Sequence, residues 1–124
     1  LAFHYAGNLP VCAMSSIYSG IPEARDKDLD GINLVEIPWL LGASPGLRVA
    51  IAAGGTGSDN YTRLNALGAD AFLLQNRFME LQAGPDLLLR GNTGLLTLDP
   101  QLRLHRELSL ATFDGGTLRA RPLQ

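Results

Sequence analysis

The sequence is poor in the residues from which disulfides, metal centres and redox sites are built. It contains one cysteine, Cys12, and two histidines, His4 and His105. A lone cysteine excludes an internal disulfide and a cysteine-based metal site, and no pattern places either histidine beside it as a catalytic partner. Cys12 lies in the apolar run LPVCAM, where a free cysteine usually packs as a small hydrophobe. We therefore predict a buried Cys12 and no metal or other cofactor.

Long apolar runs and a strong net charge are also lacking. The 124 residues carry ten basic and twelve acidic side chains, which gives a formal net charge of −2. This balance is that of an ordinary globular domain and provides no bulk attraction for nucleic acid. No run of roughly 18 apolar residues predicts a membrane-spanning helix, and no cleavable leader is visible. The chain opens with LAFHYAG instead of methionine, so we expect a fragment or a processed chain that forms one domain or part of one.

Catalytic motifs are missing as well. The sequence has no Gly-x-Ser-x-Gly elbow, no paired-histidine motif and no carboxylate pair whose spacing suggests acid–base catalysis. The run Gly54–Gly57 lacks the ending of a phosphate-binding loop, so we interpret it as a flexible joint. The run Asp26–Gly31 resembles the start of a calcium loop, but Ile37 occupies the position of the required glutamate, so we predict a solvated acidic turn. These patterns favour a binding protein over an enzyme.

The most distinctive local pattern is a long amphipathic helix over Tyr61–Leu81. Ser58 or Asp59 is predicted to cap its start, and Gly84 with Pro85 is predicted to end it. Apolar residues at spacings of three and four predict a single buried stripe. The stripe consists of Leu64, Leu67, Ala71, Leu74, Phe78 and Leu81. Polar residues such as Asp70 fall away from it. Gly68 inside the helix indicates either close packing against another group or a tolerated glycine.

Short strands and a second helix precede this segment. Residues 9–14 and 32–37 are apolar runs typical of buried strands in a parallel sheet, and Pro38 closes the second run. Ser44 followed by Pro45 predicts the start of a short helix that reaches Ala53. Strands that alternate with helices predict an α/β or α+β layered domain.

The last part of the chain reads as an antiparallel meander over residues 93–121. Turns are predicted at Asp99–Gln101 and Asp114–Gly116, with one long strand between them. The apolar face of that strand also carries Arg106. Because a buried unpaired arginine is costly, we expect a bulge to turn it outward or a carboxylate such as Asp99 to meet it.

Small polar residues after the first strand form the candidate ligand site. Ser15, Ser16 and Tyr18 follow the carboxyl end of that strand, where clefts form in open α/β sheets. The alternative is that the serines cap the next turn. Trp39 and the strand face over Arg103–Arg121 are candidate partner contacts, although a core tryptophan and a solvated strand face are the simpler interpretations.

Four segments, taken in order and spacing, resemble a known family. They are NLPVCAMSSIYSG, RDKDLDGINLVEIPWLL, YTRLNALGADAFLL and GNTGLLTLD. They are similar to the carboxyl-terminal domain of the LpoA (LppC/YraM) lipoproteins, the penicillin-binding-protein activators of Gram-negative bacteria. The most specific parts are Ile17–Gly20, Leu29–Pro38 and Leu64–Ala71, and the similarity covers nearly the whole chain. The helix followed by the GNTGLL segment also resembles the type I periplasmic-binding-protein fold.

This resemblance implies a fold and a role. The fold class is α/β, a three-layer lobe of a type I periplasmic-binding-protein-like domain with an antiparallel C-terminal meander. Residues 1–124 would form one lobe plus the C-terminal tail of that domain. The protein would be a non-catalytic regulator of peptidoglycan synthesis that activates a bifunctional class A penicillin-binding protein. It would act at the periplasmic face of the outer membrane through a lipid anchor outside this chain, and Cys12 is not that anchor.

A second hypothesis treats the chain as a receptor lobe. Ser15, Ser16, Tyr18 and the segment near Glu36–Trp39 would then hold a small polar or cell-wall-derived ligand. The surface that contacts the synthase is not assigned by either hypothesis.

Overall fold

A computed structural model describes residues 9–54, 61–84 and 86–122. The helices are α1 (Pro45–Ala53) and α2 (Thr62–Ala83). The strands are β1 (Cys12–Ala13), β2 (Asn33–Glu36), β3 (Leu89–Arg90), β4 (Leu95–Leu98), β5 (Leu104–Glu107), β6 (Ser109–Asp114) and β7 (Thr117–Ala120). Short 3-10 helices cover Ser15–Ile17, Ala24–Leu29 and Pro38–Leu41. This content confirms the predicted mixed α/β class.

The chain divides into two compact units that no pattern in the sequence predicts. Unit 1 contains the described residues up to Glu36 and those from Leu110 onward, and unit 2 contains Ile37–Ser109. Unit 2 is therefore inserted between the two segments of unit 1. The sequence predicts one domain or part of one, and it contains no linker between the two units. The division arises from the return of β6 to the sheet of β1 and β2, a long-range pairing that leaves no local signal.

Unit 1 is built on a four-stranded sheet with the order β1, β2, β6, β7. The parallel pairing predicted for the first two strands is confirmed, since β1 and β2 run parallel with Cys12 opposite Asn33. Strands β6 and β7 are antiparallel, with Phe113 opposite Leu118. Phe113 is only 1% exposed, and the ring of Tyr18 meets it edge-on at a centroid distance of 5.8 Å. These side chains form the core of unit 1.

The first strand differs from its prediction in length and burial. Only Cys12 and Ala13 are paired, and among the described residues β1 is one of the two edge strands of its sheet. Cys12 is exposed, and Met14 is 79% exposed. The prediction of a doubly buried strand with a buried thiol was therefore wrong. An apolar run alone cannot distinguish a central strand from an edge strand, because that depends on which segments pair beside it.

The acidic run is a structural turn. Asp26 is buried, and its carboxylate accepts a hydrogen bond from the backbone N–H of Glu23 at 2.8 Å. Asp30 accepts a hydrogen bond from the backbone N–H of Gly116 at 2.8 Å. The predicted solvated turn was therefore wrong for Asp26, which is the third residue of a 3-10 helix and forms a capping box with the N-cap residue Glu23. Within residues 9–54, 61–84 and 86–122, no group of three or more metal-ligating side chains comes together.

Unit 2 packs α2 against the antiparallel sheet β3, β4, β5. Its core contains Leu81, Leu89, Leu96 and Leu98, with Leu73, Leu74 and Leu87 packed around them. Helix α2 ends at Ala83 with Gly84 as its cap, as predicted. The two predicted N-terminal caps, Ser58 and Asp59, lie outside the described residues. In the part of the chain that the structure describes, neither helix combines the length and apolarity needed to cross a membrane.

The predicted long strand after Asp99 is two strands in different sheets. Strand β5 pairs with β4, whereas β6 joins the sheet of unit 1 and pairs with β7. All four residues of β5 are exposed, so Arg106 is not buried and needs no carboxylate. Asp99 instead meets Arg103 and His105. The antiparallel pairing was correctly predicted, but its assignment to one continuous meander was not.

Candidate functional site

A buried aspartate joins α2 to the loop between β3 and β4 within unit 2. Asp70 is 2% exposed, and its Oδ1 accepts hydrogen bonds from the backbone N–H of Asn92 at 2.7 Å and from its side-chain amide at 2.9 Å. Oδ2 accepts from the backbone N–H of Thr93 at 2.7 Å and from its hydroxyl at 2.6 Å. A buried carboxylate is tolerated only when its oxygens are hydrogen-bonded, and these four donors meet that need.

The loop that supplies these donors needs glycine at both ends. A Cβ at Gly91 would lie 2.7 Å from Oδ2 of Asp70 and 2.8 Å from Cδ1 of Leu96. Gly94 has a φ of 151°, and its carbonyl accepts a hydrogen bond from the N–H of Gly91 at 2.9 Å. Glycine at position 91 therefore allows the backbone to approach the carboxylate closely, whereas a Cβ at Gly94 would collide with the backbone carbonyl oxygen of Glu107. These two close approaches explain both glycines of the GNTG sequence.

The same loop is held from its other side. The backbone N–H of Trp39 donates to the carbonyl of Asn92 at 2.9 Å, and the guanidinium of Arg48 donates to the carbonyl of Trp39 at 3.3 Å. Arg48 also lies over the indole ring, 5.8 Å from its centroid. Trp39 is 3% exposed, so it is a core residue, in line with the simpler interpretation of the sequence. We call Asp70, Asn92, Thr93 and Trp39 the Asp70 network.

The Asp70 network leaves the opposite side of α2 exposed. Large apolar side chains lie there within an arc of about 140° on the helix. They are Leu64 at 61% exposure, Leu67 at 53%, Phe72 at 70%, Phe78 at 39% and Met79 at 75%. We call these five residues the outer face of α2. A patch of this kind on a helix is typical of an interaction surface, because water contact with it is costly.

The predicted buried stripe of α2 was therefore wrong for most of its members. Leu81 is buried and Leu74 is partly buried, but Leu64, Leu67, Ala71 and Phe78 are exposed. The inner face instead carries Ala66, Asp70, Leu73, Leu74 and Leu81. Those residues also recur at spacings of three and four, so periodicity permitted either face. Asp70, Asn92 and Thr93 were not predicted as a site, and the available signal in the sequence was an aspartate within an otherwise apolar row.

The predicted ligand residues lie together in one turn of unit 1. Ser15 and Ser16 belong to the 3-10 helix that follows β1, and the N–H of Tyr18 donates to the carbonyl of Ser15 at 3.1 Å. Ser16 is exposed and Ser15 is partly buried. Tyr18 is only 5% exposed and packs against Phe113, so its ring contributes to the core. Ligand binding by these three residues stays a prediction.

The second predicted contact patch is not a single strand face, because β5 belongs to a different sheet from β6 and β7. Arg103 pairs with Asp99 at 2.7 Å, and its side chain is 70% exposed. Arg119 pairs with Asp114 at 3.2 Å, and its side chain is 67% exposed. Exposed pairs of this kind contribute little to stability. This geometry gives no reason to prefer the Arg103–Arg121 face over the outer face of α2 as an interaction surface.

Comparison with known proteins places the chain in a family. The family described as "LppC putative lipoprotein" matches residues 1–116. A relative from Vibrio vulnificus named penicillin-binding protein activator LpoA is 35% identical over 101 residues, which cover 81% of this chain and 17% of the relative. The chain spans between 13% and 17% of the length of the curated relatives it matches.

Solved structures agree with the sequence comparison. The C-domain of LpoA (YraM) from Haemophilus influenzae, described as a regulator of PBP1A, matches with a TM-score of 0.73 and 26% identity. The match covers 98% of this chain and 39% of that one. A chain from Rhodospirillum rubrum assigned to a branched-chain amino acid ABC transporter matches with a TM-score of 0.59 and 23% identity, covering 97% of this chain and 39% of its own length, which shows a shared fold alone. These matches confirm the expected periplasmic-binding-protein-like fold, and this chain belongs to the LppC family.

Proposed function

We propose that this chain is part of a regulator that activates a penicillin-binding protein and so stimulates peptidoglycan synthesis. The observation that carries the proposal is the match of 98% of the chain to a domain described as a regulator of PBP1A. The curated relatives named as penicillin-binding protein activators support the same role. The target would be a bifunctional class A enzyme with transpeptidase and glycosyltransferase activities.

The regulation would work by contact and without catalysis. The buried carboxylate of Asp70 supports this idea, since Asn92 and Thr93 engage both of its oxygens. The family description as a lipoprotein supports a place at the cell envelope. We propose more narrowly the periplasmic face of the outer membrane, with the lipid anchor outside this chain.

We also propose that residues 1–124 are one lobe plus the C-terminal tail of a larger domain. The H. influenzae C-domain is longer than this chain, which covers 39% of it. The outer face of α2 supports the proposal, because five exposed apolar side chains on one helix call for a covering layer. The remainder of the C-terminal domain would supply that layer.

The test of activation is a titration against the periplasmic region of a cognate class A synthase. Both this chain and a complete C-terminal domain of the family would be added while transpeptidase turnover is followed. We expect saturable binding and a higher rate, with the synthase alone and an unrelated protein as controls. A folded complete domain that neither binds nor stimulates the synthase would contradict the proposal.

The test of the covering layer compares two lengths of protein. Phe72→Gln with Met79→Gln should change the stability of the 124-residue chain little, because both side chains are already in water. In the complete C-terminal domain the same pair should lower the free energy of unfolding by about 1.5 to 3 kcal/mol for each side chain that becomes buried. Ile21→Gln in unit 1, 43% exposed, is the matched control. Equal effects in both lengths would show that nothing covers this face.

The receptor hypothesis remains second, because the relatives are named for activation. Under it, Ser15 and Ser16 would contact the ligand through their hydroxyls, and Tyr18 would support the turn from inside unit 1. A thermal-shift screen of small polar molecules tests this role. A ligand whose stabilising effect is unchanged in Ser16→Ala would exclude that residue from the site.

A further inference from the structure

An open depression with a volume of about 480 Å³ lies at the turn between β4 and β5. Its lining residues include Asp86, Leu88, Thr97, Asp99, Pro100 and His105. This volume lies within the range of about 300 to 1,000 Å³ that is typical of small-molecule sites. We call it the hairpin pocket. It lies entirely within unit 2 and includes none of the residues of the Asp70 network.

The sheet register explains how the pocket is assembled. Thr97 of β4 pairs directly with His105 of β5. On the other side of β4, Leu89 pairs with Leu96, so continuing the antiparallel register by one residue places Leu88 beside Thr97. Leu88, Thr97 and His105 therefore form a row across three neighbouring segments. The row presents an apolar side chain, a hydroxyl and an imidazole at one end of the sheet.

Asp99 fixes one wall of the pocket. Its carboxylate accepts hydrogen bonds from the backbone N–H groups of Gln101 and Arg103, both at 2.9 Å, and from Nε of Arg103 at 2.7 Å. Nε2 of His105 lies 2.9 Å from Oδ2 of the same carboxylate. The hydrogen bond from His105, followed by that from the Arg103 backbone, holds the pKa of Asp99 well below its usual range. Asp99 therefore stays ionised, is offset by Arg103, and orients the imidazole.

Asp86, unlike Asp99, has no cationic partner among the described residues. It is exposed and lines the pocket, and in the described part of unit 2 it makes no hydrogen bond or ion pair. The hydroxyl of Thr97 likewise has no partner among the described residues. The pocket thus combines one uncompensated carboxylate with an unengaged hydroxyl, beside the apolar surfaces of Leu88 and Pro100. Sites of this composition recognise small molecules that carry both polar and apolar faces.

We propose that the hairpin pocket binds a small organic cation of the amino-sugar class. The ammonium group pairs with Asp86, the ring hydroxyls bond to Thr97 and His105, and the apolar ring face lies on Leu88 and Pro100. A cation is favoured over an anion because Arg103 already satisfies Asp99 and leaves Asp86 as the free charge. The inference rests on the pocket alone and is independent of the regulation of a synthase.

The test compares two probes that differ in charge, glucosamine and N-acetylglucosamine. Amide chemical shifts of the ¹⁵N-labelled protein would be followed during each titration at low ionic strength. We expect glucosamine to shift Thr97, Asp99 and His105 and to bind about fivefold more tightly than the neutral sugar, which corresponds to one charge-assisted contact at a solvated site. Raising the salt concentration should weaken glucosamine binding and leave the neutral sugar unaffected.

Asp86→Asn is the matched variant. Its side chain is exposed, so the fold is retained, and the preference for glucosamine should disappear while weak binding of both sugars persists. Asp28→Asn removes an exposed carboxylate from unit 1 and should leave the preference intact. Equal binding of the two sugars by the unmodified protein, shifts that map outside the pocket, or a preference unchanged in Asp86→Asn would each overturn the proposal.

Discussion

The burial of the two faces of α2 is the reverse of what the polarity of their residues suggests. The inner face is buried although it carries a carboxylate, with Ala66, Asp70 and Leu81 all at 2% exposure or less. The outer face is exposed although it carries five large apolar side chains. Both faces fit a helical period. The difference teaches that a few directed hydrogen bonds can determine the orientation of an amphipathic helix that apolar spacing leaves undecided.

The energetics explain this outcome. Burying one leucine or phenylalanine contributes about 1.5 to 3 kcal/mol, and several of these contributions are forgone at the outer face. The inner face retains its own apolar cluster around Leu81 and adds four hydrogen bonds to one carboxylate. Hydrogen bonds to charged groups contribute about 1.5 to 3 kcal/mol each, roughly twice the contribution of neutral ones. The outer face can still be buried by a further layer without disturbing them.

The largest expected effect is the loss of the Asp70 carboxylate. Asp70→Ala should lower the free energy of unfolding by about 3 to 5 kcal/mol, because donors from Asn92 and Thr93 are left buried without an acceptor. Urea denaturation measures the change. Asp28→Ala, at an exposed position, should stay within about 0.5 kcal/mol. A similar small change for both variants would mean that the Asp70 network does not orient α2.

A leucine exchange compares the two faces directly. Leu81→Ala should lower the free energy of unfolding by about 2 to 5 kcal/mol, because it opens a cavity among Leu89, Leu96 and Leu98. Leu67→Ala removes the same atoms from the outer face, where the side chain is 53% exposed, and should cost less than about 1 kcal/mol. If thermal or urea unfolding shows the larger loss for Leu67→Ala, the assignment of the two faces is reversed.

Substitution by alanine should change the free energy of unfolding in opposite directions at two glycines. Gly68→Ala on the exposed side of α2 should stabilise the protein by about 1 kcal/mol, since a Cβ there would meet nothing within 4 Å and alanine favours the helix. Gly91→Ala should destabilise it, since the added Cβ would press on Asp70 and Leu96. Denaturation of both variants checks the signs. Destabilisation by Gly68→Ala would instead support close packing of another group against that glycine.

The smallest effect on stability is expected at the outer face itself. Phe72→Gln should change the free energy of unfolding of the 124-residue chain by no more than about 0.5 kcal/mol, because the ring is 70% exposed. The same variant should bind less of a hydrophobic dye such as anilinonaphthalene sulfonate. Val35→Gln, on β2, is the control for the effect of general surface apolarity on dye binding. A marked loss of stability would show that the ring is packed in the isolated chain.

Local sequence signals predicted helices and strands well where residues such as glycine and proline mark the ends of the segment. The end of α2 at Gly84 and the helix that starts at Pro45 were both predicted from glycine and proline chemistry. The second strand and the turn after Asp99 were also predicted. These features depend on contacts among residues close in sequence, so a single segment contains the necessary information.

The candidate site could be predicted only in part. The predicted turn at Ser15 and Ser16 is present, but Tyr18 proved to be a core residue. The hydrogen bonds between Asp70 and Asn92 join residues 22 positions apart, and those to Thr93 join residues 23 positions apart. No local sequence pattern predicts these long-range hydrogen bonds. The outer face of α2 and the hairpin pocket both depend on such pairings.

The sequence by itself determined the α/β class, both helices, the positions of most turns and, through the order of its motifs, membership of the LppC family. Only the tertiary structure decided that Cys12 lies on an exposed edge strand and that residues 104–107 and 109–114 belong to different sheets. It also decided which face of α2 is buried. Each of these outcomes depends on partners distant in the chain, and the periodicity of one segment is compatible with more than one set of partners.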